Sequence, residues 1–238
     1  MFIRDIFYAI KSRVVNNEMR YRKVAWGLAR GCYLPINLQG QLRIWIGIYE
    51  IEIARYIKAL VENVNTCFDI GASYGYYTVA LARLSRMGKI IAIEPSSEAF
   101  QLLQETISKN AHLSAAFELH KVMFGIESTG VILTMDDFAL NIKDIVPNFI
   151  KIDVDGPEYN ILQGAHHVIE KYRPRFVIEV HSYQLEANCI RFLAERDYIY
   201  KIIDRQHVWP EFRPIELNRW VIAVHRQDEK VEWLRRRK

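Results

Sequence analysis

Residues 66–78, which read TCFDIGASYGYYT, decide the fold of this chain. An apolar run ends at Ile70, glycines follow at positions 71 and 75, and a helical pattern begins directly afterwards. The same alternation of short β-type runs with helical patterns continues to residue 181, which is typical of βαβ units. We therefore predict an α/β fold: a doubly wound, mostly parallel, Rossmann-like sheet with helices on both faces.

The elements of this sheet can be placed along the sequence. Strands are predicted at residues 66–70, 89–94, 116–122, 148–154, 175–181, 198–204 and 219–225. Helices are predicted over residues 76–86, 97–110, 157–169 and 183–196. Pro157 suits the first turn of its helix, where a missing N–H is tolerated.

The charge of the chain is concentrated at its ends. The 238 residues carry a net charge of +4, with seven basic residues against two acidic ones in residues 1–30 and six against three in residues 226–238. The body between them is therefore slightly acidic. Such a body is a poor surface for nucleic acid, whose phosphates bind clustered positive charge.

These ends define the predicted organisation of the chain. We expect a helical, basic extension over residues 1–40, the α/β domain over residues 41–228 and a basic, solvated tail over residues 229–238. Apolar residues of the extension form one helical stripe flanked by basic side chains: Ile3, Ile6, Phe7, Ile10 and Val14. That stripe either packs across the domain or its cleft, or lets residues 1–20 contact a membrane surface.

The cysteines and the apolar runs indicate a compartment. Cys32, Cys67 and Cys189 are far apart and lack the spacing of a zinc site or a disulfide framework. No apolar run reaches the roughly 20 residues that span a bilayer, and the N-terminus has no signal-peptide pattern. We expect a cytoplasmic protein, with peripheral membrane contact as an open alternative.

The loop after the first predicted strand is a candidate cofactor site, because ligands of open α/β sheets bind outside the carboxyl ends of the strands. Its glycines allow a tight turn and a close approach to a ligand. The spacing D-x-G-x-x-x-G differs from the G-x-G-x-x-G of dinucleotide sites, which gather amides around a pyrophosphate. Asp69 disfavours phosphate and suits a cationic group, such as the amino group of S-adenosylmethionine.

A second polar element follows the next predicted strand. That strand ends in Ile93, Glu94 and Pro95. A carboxylate at this tip can accept both ribose hydroxyls of a nucleoside lying across the two strand tips. We predict Glu94 as a ribose ligand.

Several motifs in this order resemble the FkbM-type class I methyltransferases. They lie at residues 68–78, 93–95, 134–138, 149–159 and 177–181, with a lead-in at Gly47, Tyr49 and Glu50. The resemblance covers roughly residues 45–182. Ser73 stands where the family usually has Asn, and Asp155 replaces a usual Glu.

The resemblance implies a seven-stranded sheet with one antiparallel strand and S-adenosylmethionine as methyl donor. It also implies O-methylation of a hydroxyl on a sugar, a polyketide, or a lipid- or carrier-linked metabolite. The expected cofactor contacts come from the lead-in, the glycine loop and the strand tips: Glu50, Asp69, Gly71, Ala72, Ser73, Gly75, Tyr76, Tyr77, Glu94, Pro95 and Asp153.

The candidate catalytic residues alternate along two predicted strands, so that their polar ends can converge over one cleft. Lys151 and Asp153 lie on one strand, and Glu179 and His181 on the next. His181 is the first candidate for general base because its pKa lies nearest working pH, and Asp153 is the second. Buried structural pairing of Lys151 with an acid is the alternative interpretation.

Other functions remain open at this point. Oxygen and nitrogen ligands for Mg²⁺ could come from Asp153, Asp155, Glu158, Glu179 and His181, but no spacing singles out a site and we predict no metal. A nucleic-acid methyltransferase is disfavoured because no Asn/Asp-Pro-Pro-aromatic sequence follows the fourth strand to grip a flipped base. A non-catalytic cofactor-binding module is the third hypothesis.

A late aromatic loop has two interpretations. Residues 206–214 include His207, Trp209 and Phe212, which either form an aromatic wall for a sugar or apolar acceptor or pack on the body. The sequence predicts neither the acceptor nor the oligomeric state.

Overall fold

The computed structural model describes residues 18–85, 88–143, 145–205 and 217–236. Two predicted features fall outside these ranges. They are the amphipathic stripe of residues 3–14 and the aromatic loop of residues 206–214.

The strands and helices follow the predicted alternation. The strands are β1 (Arg20–Lys23), β2 (Tyr33–Ile36), β3 (Thr66–Ile70), β4 (Lys89–Ile93), β5 (Ala116–His120), β6 (Met123–Phe124), β7 (Ile132–Leu133), β8 (Phe149–Ile152), β9 (Arg175–Val180), β10 (Tyr198–Asp204) and β11 (Arg219–His225). The α-helices are α1 (Leu38–Ile46), α2 (Ile51–Val61), α3 (Tyr76–Ser85), α4 (Ser97–Lys109), α5 (Glu158–Gln163), α6 (His166–Tyr172), α7 (Tyr183–Ala194) and α8 (Val231–Arg236), and a π-helix covers Asp137–Ile142.

The central sheet has seven strands in the order β10-β11-β9-β8-β3-β4-β5. β11 pairs antiparallel with both of its neighbours, and the other pairs are parallel. This arrangement confirms the predicted fold class, including the single antiparallel strand. The chain runs from β3 outward to β5 and then returns to β8 on the other side of β3, which makes the carboxyl ends of β3 and β8 a topological switch point.

Both faces of the sheet are covered, as the long apolar strands require. On one face, α2, α3 and α8 bury side chains such as Tyr56 and Val79 against Trp220 and Ile222. On the other face, α5, α6 and α7 pack against residues that include Phe68 and Ile150. The doubly wound architecture follows from these two apolar layers.

The N-terminal extension differs from the prediction. Residues 20–36 form an antiparallel hairpin of β1 and β2 instead of a helix. Gly27 and Gly31 adopt positive φ angles in its connection, a backbone conformation that interrupts a helix. Leu34 and Ile36 of this hairpin are fully buried and belong to the same core cluster as side chains of α2 and α3. The hairpin therefore belongs to the domain, and its core does not begin at residue 41.

The predicted C-terminal tail is also wrong in part. Residues 231–236 form α8, in which Val231 and Leu234 are buried. Trp233 packs edge-on against Tyr56 with 5.6 Å between ring centroids. The apolar residues of this segment pack on the domain, although its basic residues had suggested a solvated end.

The helix predicted after Pro157 is split into α5 and α6 at Gly164. A Cβ on Gly164 would lie 2.0 Å from the carbonyl oxygen of Gly125, so only glycine fits where these segments meet. The carboxylate of Asp136 then caps α6 by accepting from the N–H groups of His167 and Val168, at 2.9 and 2.8 Å. Within the described ranges, no helix combines the length and the apolar character needed to cross a membrane.

Candidate active site

A cavity of about 790 Å³ opens at the carboxyl ends of β3, β4, β8 and β9. The predicted site residues that line it are Glu50, Asp69, Gly71, Ala72, Ser73, Tyr76, Tyr77, Glu94, Pro95, Lys151, Asp153 and Glu179. Residues from α1 and β11 complete its wall. The fold therefore brings nearly all of the predicted cofactor and catalytic residues around one space, with Gly75 and His181 outside its lining.

The two glycines of the loop support the chain itself. Gly71 and Gly75 have φ angles of +79° and +94°, which L-residues with a Cβ rarely adopt. A Cβ on Gly71 would lie 1.9 Å from the carbonyl oxygen of Asp153, and one on Gly75 would lie 2.9 Å from Leu103 Cδ1. Both glycines therefore bring the loop against neighbouring protein segments, and the predicted approach to a ligand stays a proposal.

Glu94 ties the loop to the tip of β4. Its Oε2 accepts from the N–H of Ser73 and its Oε1 accepts from the N–H of Ser96, both at 2.8 Å. Ser73 has a φ of +50°, in the left-handed region where Asn is favoured over Ser. A carboxylate offers about four acceptor positions, so Glu94 keeps capacity for ligand hydroxyls while it holds the loop.

Asp69 is a fully buried carboxyl at the floor of the cavity. Its Oδ2 accepts from the Thr78 hydroxyl at 2.7 Å, and its Oδ1 lies 4.0 Å from the Lys151 ammonium and has no hydrogen-bond partner among the described residues. Burial raises the pKa of Asp69, against the opposing effects of Lys151 and Thr78. The free acceptor at Oδ1 suits a cationic donor.

Lys151 is the buried cation of the site. Its ammonium donates to Asp153 Oδ2 at 2.8 Å and lies 4.2 Å from the ring centroid of Tyr77. Burial opposes its charge, but the carboxyls of Asp153, Asp69 and Glu50 outweigh burial and raise its pKa. The structural pairing of Lys151, left open by the sequence, is present, and it lies inside the cavity.

Glu50 reaches the site from the start of α2. Its carboxylate accepts a short hydrogen bond from the Tyr77 hydroxyl, and burial raises its pKa. Glu50 itself has a φ of +46°. A left-handed non-glycine residue costs about 1–2 kcal/mol, a strain that is typical of functional positions.

Asp153 and Glu179 form a carboxyl pair across β8 and β9. Burial raises the pKa of Glu179 well above its usual range, and the two side chains are hydrogen-bonded. Burial also opposes ionisation of Asp153, but Lys151 outweighs it and lowers the pKa of Asp153. The proton of the pair therefore resides on Glu179, which donates to an ionised Asp153.

His181 follows the end of β9 and is buried beside the carboxyl pair. Its Nε2 lies 3.6 Å from Asp155 Oδ1, and ligand atoms of His181, Asp153 and Glu179 lie within 4.8 Å of one another. Of the other residues considered for Mg²⁺, Asp155 is largely exposed and Glu158 is fully buried. His181 is the member of the predicted catalytic set that does not line the cavity.

Some cavity residues escaped the sequence analysis. Trp220 lies opposite Glu179 in the β9–β11 pairing, and its buried Nε1 has no partner within the described part of the chain. Asn218, two residues earlier, likewise has a buried, unsatisfied Oδ1 there. Gln41, Arg43 and Arg205 also line the cavity. No sequence signal identifies them, because their positions depend on how β11 and α1 pack.

Solved structures share this architecture. A methyltransferase FkbM of Methylobacillus flagellatus superposes with a TM-score of 0.54 at 23% identity, over 67% of this chain and 43% of its own length. An S-adenosylmethionine-dependent O-methyltransferase of Thermotoga maritima gives 0.50 at 15% identity over 74% and 66%, and the METTL16 methyltransferase domain gives 0.53 at 14% over 73% and 66%. This chain thus spans under half of the Methylobacillus protein. The chain therefore has the fold of the class I methyltransferases.

The sequence match is narrower. The family model of the methyltransferase FkbM domain matches residues 112–201, a range that contains β8, β9 and the carboxyl pair. A search among curated proteins finds no match. Residues 112–201 are therefore similar to the methyltransferase FkbM domain, in agreement with the resemblance that the sequence motifs carry.

Proposed function

We propose that this methyltransferase uses S-adenosylmethionine to methylate a hydroxyl oxygen of a small or carrier-linked metabolite. The observation that carries the proposal is the acidic cavity at the switch point. Six acidic residues and three basic ones line it: Glu50, Asp69, Glu94, Asp153, Asp155 and Glu179 against Arg43, Lys151 and Arg205. S-adenosylmethionine supplies the methyl group from a sulfonium and carries an ammonium besides, so an acidic excess complements its charge.

The residues fit the two ends of such a cofactor. Asp69 Oδ1 is a buried acceptor without a hydrogen-bond partner among the described residues, and it would receive the ammonium group. Glu94 would accept the ribose hydroxyls. Ala72, Ser73, Pro95 and Tyr76 line the same side of the cavity.

Asp153 is the proposed general base. It is ionised, lines the cavity and belongs to the strand next to the glycine loop. As the acceptor oxygen bonds to the methyl carbon and the sulfur–carbon bond breaks, Asp153 takes the hydroxyl proton. Lys151 and Glu179 hold its carboxylate in place, and His181 is the neighbouring group that can receive the proton afterwards. We prefer Asp153 to His181 as the general base because Asp153 lines the cavity and His181 does not.

Isothermal titration with S-adenosylmethionine tests the cofactor. We expect binding by the wild type and roughly 10- to 100-fold weaker binding by Glu94→Gln, because charge-assisted hydrogen bonds contribute about 1.5–3 kcal/mol. Glu105→Gln, on the outer side of α4, is the matched control and should bind like the wild type. Absence of binding by the wild type would overturn the proposal.

Radiolabelled methyl transfer into a pool of hydroxyl-bearing metabolites tests the chemistry. Asp153→Asn should abolish transfer and His181→Ala should slow it, while both keep cofactor binding. Unchanged transfer by Asp153→Asn would refute the assigned base. Cofactor binding without transfer by the wild type, to any sugar, lipid or polyketide acceptor, would favour the non-catalytic module. Transfer to RNA with salt-dependent binding would favour a nucleic-acid methyltransferase.

A further inference from the structure

An exposed patch of aromatic and basic residues lies on the connection between β1 and β2. It consists of Lys23, Trp26, Arg30, Tyr33 and Trp45, which we call the aromatic-basic patch. Trp26 is 66% exposed, Tyr33 38% and Trp45 37%. Exposed aromatic side chains that lie together mark an interaction surface more often than scattered ones do.

Backbone contacts hold the patch together. The N–H of Ala25 donates to the carbonyl oxygen of Trp45 at 2.8 Å, which joins the hairpin connection to the end of α1. The N–H of Val24 donates to the carbonyl oxygen of Cys32 at 2.9 Å and closes the connection. Leu28 and Ala29 are buried beneath it. The buried Leu28 and Ala29 thus fix the connection to the core, while the indole of Trp26 is exposed to solvent.

The basic side chains lie directly against the aromatic rings. The Arg30 guanidinium carbon is 5.2 Å from the ring centroid of Trp26, and the Lys23 ammonium is 5.9 Å from that of Tyr33. From residue 19 to residue 49 the sequence contains five basic residues and no acidic one. The patch therefore lies in a stretch of sequence without acidic residues, although the body of the protein is acidic.

We infer that the aromatic-basic patch docks on an anionic phospholipid bilayer. Indole and phenol rings suit the headgroup level of a membrane, and neighbouring basic residues gain from anionic lipids. The exposed indoles of Trp26 and Trp45 can bury apolar area in a lipid interface. Contacts to a phosphate backbone gain nothing from that apolar area, which favours lipid over nucleic acid.

The patch adjoins the cavity through α1. Gln41, Arg43 and Ile44 line the cavity, and Trp45 of the same helix belongs to the patch. Docking would therefore bring the cavity close to the bilayer. This step rests on the proposed function: if the protein methylates a hydroxyl, the geometry assigns the methyl acceptor to the class of lipid-linked hydroxyl compounds.

Flotation of the full chain with vesicles tests the docking. We expect binding to vesicles of phosphatidylglycerol and phosphatidylcholine in equal parts, and little to phosphatidylcholine alone. Trp26→Ala with Trp45→Ala should weaken binding about tenfold or more, because buried apolar area drives interfacial binding. Lys23→Gln with Arg30→Gln should weaken it about fivefold for each charge removed.

The control is Val131→Ala with Ile142→Ala, two exposed apolar residues remote in sequence from the patch, which should bind like the wild type. Circular dichroism verifies that each variant is folded. Wild-type-like binding by the tryptophan variant would overturn the inference, as would salt-sensitive binding to RNA without vesicle binding. Because the vesicle assay contains neither cofactor nor acceptor, its failure leaves the proposed methyl transfer standing, and the reverse also holds.

Discussion

The ammonium of Lys151 lies 2.8 Å from Asp153 Oδ2, and both residues belong to the carboxyl end of β8. The same ammonium is 4.0 Å from Asp69 Oδ1 on the adjacent β3. One buried cation thus connects the strand that carries the candidate cofactor loop with the strand that carries the candidate base. Its removal would leave buried carboxyls without their counter-charge.

Lys151→Met should therefore destabilise the protein by roughly 3–5 kcal/mol, the usual effect of removing one partner of a buried ion pair. Urea unfolding at pH 7.5 measures it. Lys89→Gln removes the ammonium of the partly exposed pair with Glu118 and should cost about 0–1 kcal/mol. An equal loss of unfolding free energy in both variants would show that the buried ion pairs of Lys151 stabilise the protein no more than an exposed pair does.

Gly71→Ala should lower stability sharply. The left-handed backbone alone costs about 1–2 kcal/mol, and the added Cβ would meet the Asp153 carbonyl oxygen at 1.9 Å. Gly40→Ala is the matched control: Gly40 lies in α1 with nothing within 4 Å of an added Cβ. That variant should gain about 0.5–1 kcal/mol of helix stability. Thermal unfolding compares the two, and a stable Gly71→Ala protein would contradict the packing of the loop.

Ser73→Asn should stabilise the protein by about 0.5–1 kcal/mol, since Asn tolerates the left-handed region better than Ser. The backbone N–H of residue 73 still donates to Glu94 in this variant. Ser114→Asn, at an exposed position before β5 where φ is not positive, provides the comparison. A destabilised Ser73→Asn protein would mean that the added amide clashes within the cavity.

The pH dependence of stability should reveal Glu158. Burial raises its pKa from 4.5 to about 7. Between these values the unfolded chain loses the proton first, so the folded state binds more protons and the free energy of unfolding falls as pH rises. The loss is on the order of 3 kcal/mol.

Glu158→Gln removes this titration and keeps an acceptor for the Gly156 N–H, which donates to Glu158 Oε1 at 3.2 Å. The difference in stability between variant and wild type should therefore move in favour of the variant from pH 4.5 to pH 7.5. Urea unfolding across this range measures it. A difference that stays constant with pH would refute the raised pKa.

Much of the α/β unit was predictable because its signals are local. Thr66–Ile70, Tyr198–Asp204 and Arg219–His225 form strands with the predicted bounds. The hairpin of β1 and β2 was not predictable in the same way, since its apolar residues are explained by burial in a core that residues far apart in sequence build. The break at Gly164 likewise depends on a contact with Gly125, 39 residues away in sequence.

The sequence by itself determined the glycine loop, the carboxyl-bearing strand tips and the resemblance to FkbM-type methyltransferases, because these depend on residue type and short-range spacing. Only the tertiary structure decided which side chains share the cavity. Trp220 and Asn218 line the cavity, whereas His181 does not. Glu179 and Asp153 lie close enough to share a hydrogen bond. Burial and the distance between charges control such effects, and both depend on how strands far apart in sequence pack together.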